Sequence, residues 1–441
     1  MTDTLRHRFL VAALTASVAF LPELALAQDA QMFRGDPAHL GVYASEPSKL
    51  ARVKWRFHTH GMIFSSPSIL DGVAYVGSSD GNLYAVRASD GSLVWTFATK
   101  GPVTSSPAVA TGLVFVASLD GNVYAIDAGT GQRRWRFQTN GERRFTAPGI
   151  HGMIPSNELM PDPFDVFLSS PALSGGMLYI GSGDHNVYAL DASTGTLRWK
   201  FATGNVVHAS PAVSGGTVYV GSWDRYFYAL DAKSGALRWK FQTGNDTKIY
   251  NQVGIAGSAT VSNGLVYFGC RDSFFYALDA KTGTLRWKQD HHGSWVVASP
   301  AISGDTVYFT TSDEKVFWAV DAATGTARFT VPYGAFAFSS PSLAGGTAYF
   351  GTFDGRLYAV DSHTGTIVAR FATDASIANL APHLDSKGNL DTEGFYADAT
   401  FEGIVVGVNK IFSVGSIAGS PALAGGVLFI GSTDGTLYAV E

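Results

Sequence analysis

The residues of this chain best suited to chemistry are cations and aromatics gathered in a few short segments. They are Arg143 and Arg144, His208, Trp223 with Asp224 and Arg225, Lys248 and Asn251, Arg271 with Asp272, His291 and His292, Trp295, and Lys410. Guanidinium, ammonium and imidazole groups beside indole rings suit an anionic or carbonyl-bearing ligand, because their N–H groups donate to oxygen. An acidic protein surface would suit them equally. Nucleophilic and metal chemistry have less support, and no metal site is assigned. His291 and His292 are adjacent, and neighbours on a strand face opposite ways, so they do not share a metal. The stretch "LDSKGNLDTEG" at 384–394 has Lys387 where a calcium loop needs an acid or a neutral oxygen donor. "GSIAG" at 415–419 lacks the spacing of a nucleophile elbow, and no phosphate-cradling glycine loop is present. The one cysteine, Cys270, has no partner for an internal disulfide and reads as a small buried hydrophobe.

A repeat positions these residues. "YALDASTGTLRWKF" at 188–201 returns as "YALDAKSGALRWKF" at 228–241 and as "YALDAKTGTLRWK" at 276–288. A Ser-Pro pair opens units at Pro67, Pro107, Pro171, Pro211, Pro300, Pro341 and Pro421, and Ser258-Ala259 opens a degenerate eighth copy. The marks are spaced by 40, 64, 40, 48, 41, 41 and 80 residues, a base period near 40 with three insertions. Each unit holds four short β-rich runs broken by Gly and Asp turns, and nothing between them carries a useful helical period. That period and content predict the four-stranded blade of a β-propeller.

The two ends of the chain supply a check. The last unit stops at "LYAVE" before its fourth strand, and "VKWRFHT" at 53–59 matches that missing strand. An eight-bladed, all-β ring closed by the N-terminal strand explains both, and closure removes exposed sheet edges. The inserted loops at 140–168, 244–257 and 373–416 all fall between one blade and the next, on the face that also carries the turns between second and third strands. Four of those turns read Asp-Gly (Asp80-Gly81, Asp120-Gly121, Asp354-Gly355, Asp434-Gly435). The other four read Asp184-His185, Asp224-Arg225, Asp272-Ser273 and Asp313-Glu314, at a cost of order 1 kcal/mol each or a change of turn type. The aspartates themselves read as turn caps. One decorated face on a rigid scaffold is where binding is expected.

Bulk properties agree. The chain has 441 residues, 46% hydrophobic and 15% charged, enough for a large core and too apolar for disorder. A net charge of −5 without a dense basic run argues against nucleic acid. At the N-terminus, Arg6, His7 and Arg8 precede "FLVAALTASVAFL", and Ala25-Leu26-Ala27 stands before Gln28. This predicts a cleavable secretory signal over 1–27, a periplasmic destination and a single domain over 28–441. No later run is long enough to span a membrane, so no transmembrane segment is expected in the mature chain.

The pattern Ala-x-Asp-x-x-Thr-Gly-x-x-x-Trp, complete at 125–135, 189–199 and 277–287, resembles the tryptophan-docking motif of the pyrroloquinoline quinone (PQQ) repeat propellers. Copies end in Trp55, Trp95, Trp135, Trp199, Trp239 and Trp287, whereas Phe329 and Ala369 stand at the two remaining positions. That family includes calcium- and quinone-dependent alcohol dehydrogenases. It also includes a scaffold lipoprotein of the outer-membrane protein assembly machine. The resemblance therefore implies the fold and leaves two functions open. In the first, the decorated face docks an envelope protein partner or a small polar or anionic ligand, with no cofactor assigned. In the second, the chain is a dehydrogenase using PQQ with calcium. There Trp223 or Trp295 would stack the quinone, and Asn251, Asp224 or Asp272 would offer oxygens to the metal. The adjacent cysteines that cap the quinone in those enzymes are absent, since Cys270 is alone, and there is no Cys-x-x-Cys-His haem site.

Overall fold

In the computed structural model, which describes residues 31–244, 254–391 and 393–441, each repeat unit folds as an antiparallel four-stranded meander. Alternating apolar runs and left-handed glycine turns leave little else for such a sequence to form. Eight such sheets are present: 68–98, 108–138, 172–202, 212–242, 260–290, 301–332 and 342–372, which we number blades one to seven, and an eighth at 422–440. The eighth is completed by Val53–His58, with Trp55 opposite Ala439 and Phe57 opposite Leu437. The ring is thus closed by strands from both ends of the sequence.

The innermost strands are joined by a circuit of hydrogen bonds. Ser66 N–H donates to Ser106 Oγ (2.9 Å), Ser106 N–H to Ser170 Oγ (2.9 Å), and Ser170 N–H to Ser210 Oγ (2.9 Å). The series continues through Ser258, Ser299, Ser340 and Ser420 and returns to Ser66. The degenerate unit has lost its proline but keeps Ser258, the residue the circuit requires. These serines line an axial hollow of about 50 Å³. Phe33 faces it from a strap at 31–43, whose carbonyls accept from Val109, Val213, Val261, Ile302 and Leu343 on the inner strands of blade two and of blades four to seven.

Between blades, each outer-strand tryptophan lies on the next blade's turn glycine. A Cβ added at Gly91, Gly131, Gly195, Gly235, Gly283 or Gly325 would stand 2.6–2.8 Å from the indole of the preceding blade. Each indole N–H also donates to a turn carbonyl, as Trp199 does to Ala232 (2.9 Å). Phe329 sits on Gly365 in the same way. Ala369 has no such seat, for a topological reason. The third and fourth strands of blade eight come from opposite ends of the sequence, so no hairpin joins them and no turn glycine exists there. Residues of the N-terminal segment fill the place: Tyr43 and Leu50 join that core, and Tyr349 O–H donates to Ser48 O (2.7 Å) where Tyr308 uses Ser362 O (3.0 Å).

Two sequence expectations change. The third insertion is not strand-free loop alone. It carries α1 (Asp374–Asn379) and α2 (Phe401–Ser413), each opened by a threonine cap that accepts from the third residue on: Thr373 from Ser376 N–H and Thr400 from Gly403 N–H. The non-glycine turns keep their type: His185, Arg225 and Ser273 take φ of 72°, 70° and 73°, close to Gly355 at 73°. Thr203 clamps one of them, donating both its N–H and its hydroxyl to His185 O (2.8 and 3.0 Å). In blade six the left-handed residue is Lys315 (58°), so the turn pair there is Glu314-Lys315, one position later than the Asp313-Glu314 expected from the repeat.

Candidate functional site

The first and third insertions pack together as a lid over one mouth of the ring. Thr146–Pro148 pairs with Leu159–Pro161, and Ile154 N–H donates to Ala399 O across the two insertions (2.9 Å). Their apolar residues form one core: Phe145, Met153, Met160 and Phe164 from the first, Ile404, Val408, Ile411 and Phe412 from α2, with Phe64, Phe338 and Phe353 from the blades below.

Under this lid the sequence-predicted cations meet acids that the sequence reading did not single out. Arg271, almost fully buried, forms an ion pair with Asp162 of the lid. Its guanidinium lies 4.4 Å from the Trp223 ring centroid and 4.1 Å from that of Trp295. Phe145 stacks on Trp223 at 4.2 Å and 14°. The result is a layered column: Phe145, Trp223, Arg271, Trp295. A buried charge needs such partners, because desolvating it alone costs several kcal/mol. Asp162 also accepts from Phe164 N–H (2.8 Å) and lies 2.8 Å from His151 Nε2. Burial opposes its charge, but the Arg271 guanidinium and His151 outweigh burial and hold Asp162 well below the usual carboxylate range.

His208 forms the second buried centre. Its Nδ1 is 2.7 Å from Asp165 Oδ1 and its Nε2 is 3.7 Å from Glu142 Oε2. Burial alone would drive off its proton, yet the Asp165 carboxylate outweighs burial and pushes its pKa up to about 10. Asp165 accepts in turn from Phe145 N–H (2.7 Å), and Glu142 from Ser182 O–H (2.7 Å) and Gly183 N–H (2.6 Å). These contacts pin the lid to blades three and four. Among the predicted residues, Arg271, His208, Trp223 and Trp295 are thus brought together, as parts of the lid's foundation.

The other predicted residues divide. Asp224 and Asp272 are turn caps whose carboxylates accept from Gly204 and Gly244 N–H and from Tyr228 and Tyr276 O–H. Arg225 is half-buried in its turn. His291, buried beside Glu314 (3.0 Å), and His292, exposed, face apart as expected, although they follow the strand rather than lie on it. Arg143, Arg144 and Lys410 are exposed around the lid. Lys248 and Asn251 lie outside the described residues. Among the described residues no group of three His, Cys, Asp or Glu side chains is placed to hold a metal. Cys270 is buried. The residues missed in the sequence are Glu142, Phe145, His151, Asp162 and Asp165. Their signal was available, in that an inserted loop carrying Asp162-Pro-Phe-Asp165 offers acids to a face otherwise rich in cations.

The outer surface of the lid is apolar in places. Leu159 is 72% exposed, Ile377 of α1 73%, Ile154 57% and Val406 of α2 46%. Leu159 and Ile377 are the most exposed large apolar side chains among the described residues.

Comparisons with known proteins place this geometry. A model of the PQQ-repeat family described as outer membrane protein assembly factor BamB matches residues 42–152, 156–368 and 250–441. Among solved structures, BamB from Moraxella catarrhalis superposes with a TM-score of 0.64 at 16% identity, covering 88% of this chain and 98% of its own. Quinohemoprotein alcohol dehydrogenase from Comamonas testosteroni gives 0.66 at 15% identity, with 93% and 80% covered. A europium-containing methanol dehydrogenase gives 0.66 at 15%, with 92% and 90% covered. At these identities the likeness is one of fold. Among curated proteins, none matches the sequence.

Proposed function

The chain belongs to the PQQ-repeat family described as outer membrane protein assembly factor BamB, and from that premise we propose that it is an exported envelope protein that binds a protein partner on its lidded face. The observation that carries this reading is the lid itself. Its interior is fixed by the Arg271–Asp162 and His208–Asp165 pairs, and its exterior presents Leu159, Ile377, Ile154 and Val406 among the exposed cations Arg143, Arg144 and Lys410. Solvated apolar side chains on a pre-organised surface favour association. The flanking cations select a partner with an acidic border. The reading includes removal of residues 1–27 on export and a single domain over 28–441. No helix among the described residues is long and apolar enough to cross a membrane.

The quinone reading finds less support at this site. One face of Trp223 is covered by Phe145 and the other by Arg271, so that indole offers no free face to a planar ring, and Arg271 also covers one face of Trp295. The oxygens of Asp224 and Asp272 are committed to turn N–H and tyrosine O–H donors.

Photo-crosslinking residues placed at Leu159 and Ile377 in the exporting cell test the proposal. Both positions should yield one shared cross-linked protein, and Leu93, exposed on an outer strand, should yield none. The double variant Leu159→Lys, Ile377→Lys should lose that product while unfolding at the same temperature. Absence of a product at both positions, or the same product from Leu93, would overturn the reading.

A further inference from the structure

We propose that the groove between blades six and seven binds a small carboxylic acid, whose carboxylate takes the place that an aspartate of the repeat fills in other blades. The repeat itself shows what the donors there are built to hold. In blade one, His60 N–H (2.9 Å) and Tyr84 O–H (2.7 Å) both donate to Asp80 Oδ2. The same pair of donors, a loop N–H and a tyrosine hydroxyl, converges on Asp120 in blade two, from Lys100 and Tyr124. It converges on Asp184 in blade three, from Asn140 and Tyr188, and recurs at Asp224 in blade four and Asp272 in blade five. Five copies therefore identify this arrangement as a carboxylate seat.

In blade seven Gly334 and Tyr358 stand at the two donor positions, and the carboxylate has other partners. Asp354 is fully buried; its Oδ1 accepts from Thr352 O–H (2.5 Å) and its Oδ2 from Arg356 Nη1 (2.9 Å). Arg356 stands where blades one, two and three carry Asn82, Asn122 and Asn186, and it captures the aspartate. Neither Tyr358 O–H nor Gly334 N–H, the counterparts of the paired donors, makes a hydrogen bond to Asp354 among the described residues.

The space left is a groove of about 550 Å³ lined by these groups: Gly334, Tyr358, Arg356, Arg370, Tyr333 and Asn389. Its size suits a small molecule. The charge that a free acid needs comes from Arg370, because the Arg356 guanidinium is already paired with Asp354 and adds only its remaining N–H donors. Arg356 is half-buried at the wall, and Arg370 lies exposed, its Cζ 5.5 Å from the Tyr358 ring, with no ion pair among the described residues. Guanidinium binds carboxylate through paired, charge-assisted N–H donors. With the Arg370 charge and the remaining Arg356 N–H donors at one groove, a dicarboxylate that reaches both is favoured over a monocarboxylate. Asn389, from the third insertion, closes one side, its Oδ1 3.3 Å from where a Gly334 Cβ would stand.

Calorimetric titration of the purified protein with acetate, succinate and citrate tests this, with succinamide as the uncharged control. Succinate should bind saturably and more tightly than acetate, and succinamide should not bind. Arg370→Gln and Tyr358→Phe should each weaken succinate by about tenfold or more, the loss of one charge-assisted contact, at an unchanged unfolding temperature. Arg356→Asn restores the residue of the other blades and frees Asp354 to return to Tyr358, so it should abolish binding while the fold is retained. No binding of any of the three acids at millimolar concentration overturns the proposal. So does equal binding of succinamide, or an affinity unchanged in both Arg370→Gln and Tyr358→Phe. The groove and the lid surface are read by different probes, so either can fail alone.

Discussion

Trp199 lies flat on Gly235 of the next blade, so close that a Cβ at Gly235 would stand 2.7 Å from its ring. The same glycine holds φ at 74°, a conformation L side chains rarely adopt. Gly216 has nearly the same φ, 71°, with its nearest neighbour 3.9 Å away. Gly216→Ala should therefore destabilise by about 1 kcal/mol from backbone strain alone. Gly235→Ala should cost about 1–3 kcal/mol more, because a packed indole must move. Urea unfolding of the two variants separates the terms.

The two odd junctions make opposite predictions. Phe329 rests on Gly365 and borders a hollow of about 520 Å³, and Ser362 O is within reach of the blade-six side of that junction. Phe329→Trp restores the ring of the other blades and should be neutral or stabilise by about 0.5–1 kcal/mol through one more hydrogen bond. Ala369→Trp has no glycine seat and meets the N-terminal segment instead. It should destabilise by about 1–3 kcal/mol. Thermal unfolding of both variants decides.

The two charge centres under the lid titrate in opposite directions. His208 is raised from 6.5 to about 10 in the fold, so its stabilisation is complete below pH 6.5 and is lost as pH rises toward 10. Trp223 and Trp295 beneath the lid should report this loosening by fluorescence, and His208→Gln should remove that alkaline dependence. Asp162 is lowered, so its share is present above its ordinary value and disappears in acid.

Breaking the Arg271–Asp162 pair from one side should cost about 3–5 kcal/mol, since Asp162→Asn leaves a buried guanidinium without its counter-ion. Replacing both partners with apolar residues, Arg271→Met with Asp162→Leu, should recover most of that loss. Denaturant unfolding of the single and double variants provides the comparison.

The ring was legible because each blade repeats its own evidence. Eight opening marks, the missing fourth strand and its match at 53–59 allow one closure, and Trp55 does pair with Ala439. The lid was not legible, because an insertion has no second copy to be compared with. The pattern Ile404, Val408, Ile411, Phe412 behind the Thr400 cap is a helical signal, but a short one set in a sequence of strands. Arg271 and His208 stood out as cations, and their burial was hidden because their partners lie 109 and 43 residues away. Arg356 was passed over for a simpler reason: its turn still reads Asp-Gly, and the change lies in where the aspartate points.

The serine circuit at the hub has an electrostatic corollary. Its eight N–H vectors run the same way around a circle, so within the plane of that circle they sum to nearly nothing. The repeated circuit therefore adds no net in-plane dipole at the hub, and any such dipole there must come from the places where the eightfold rule is broken.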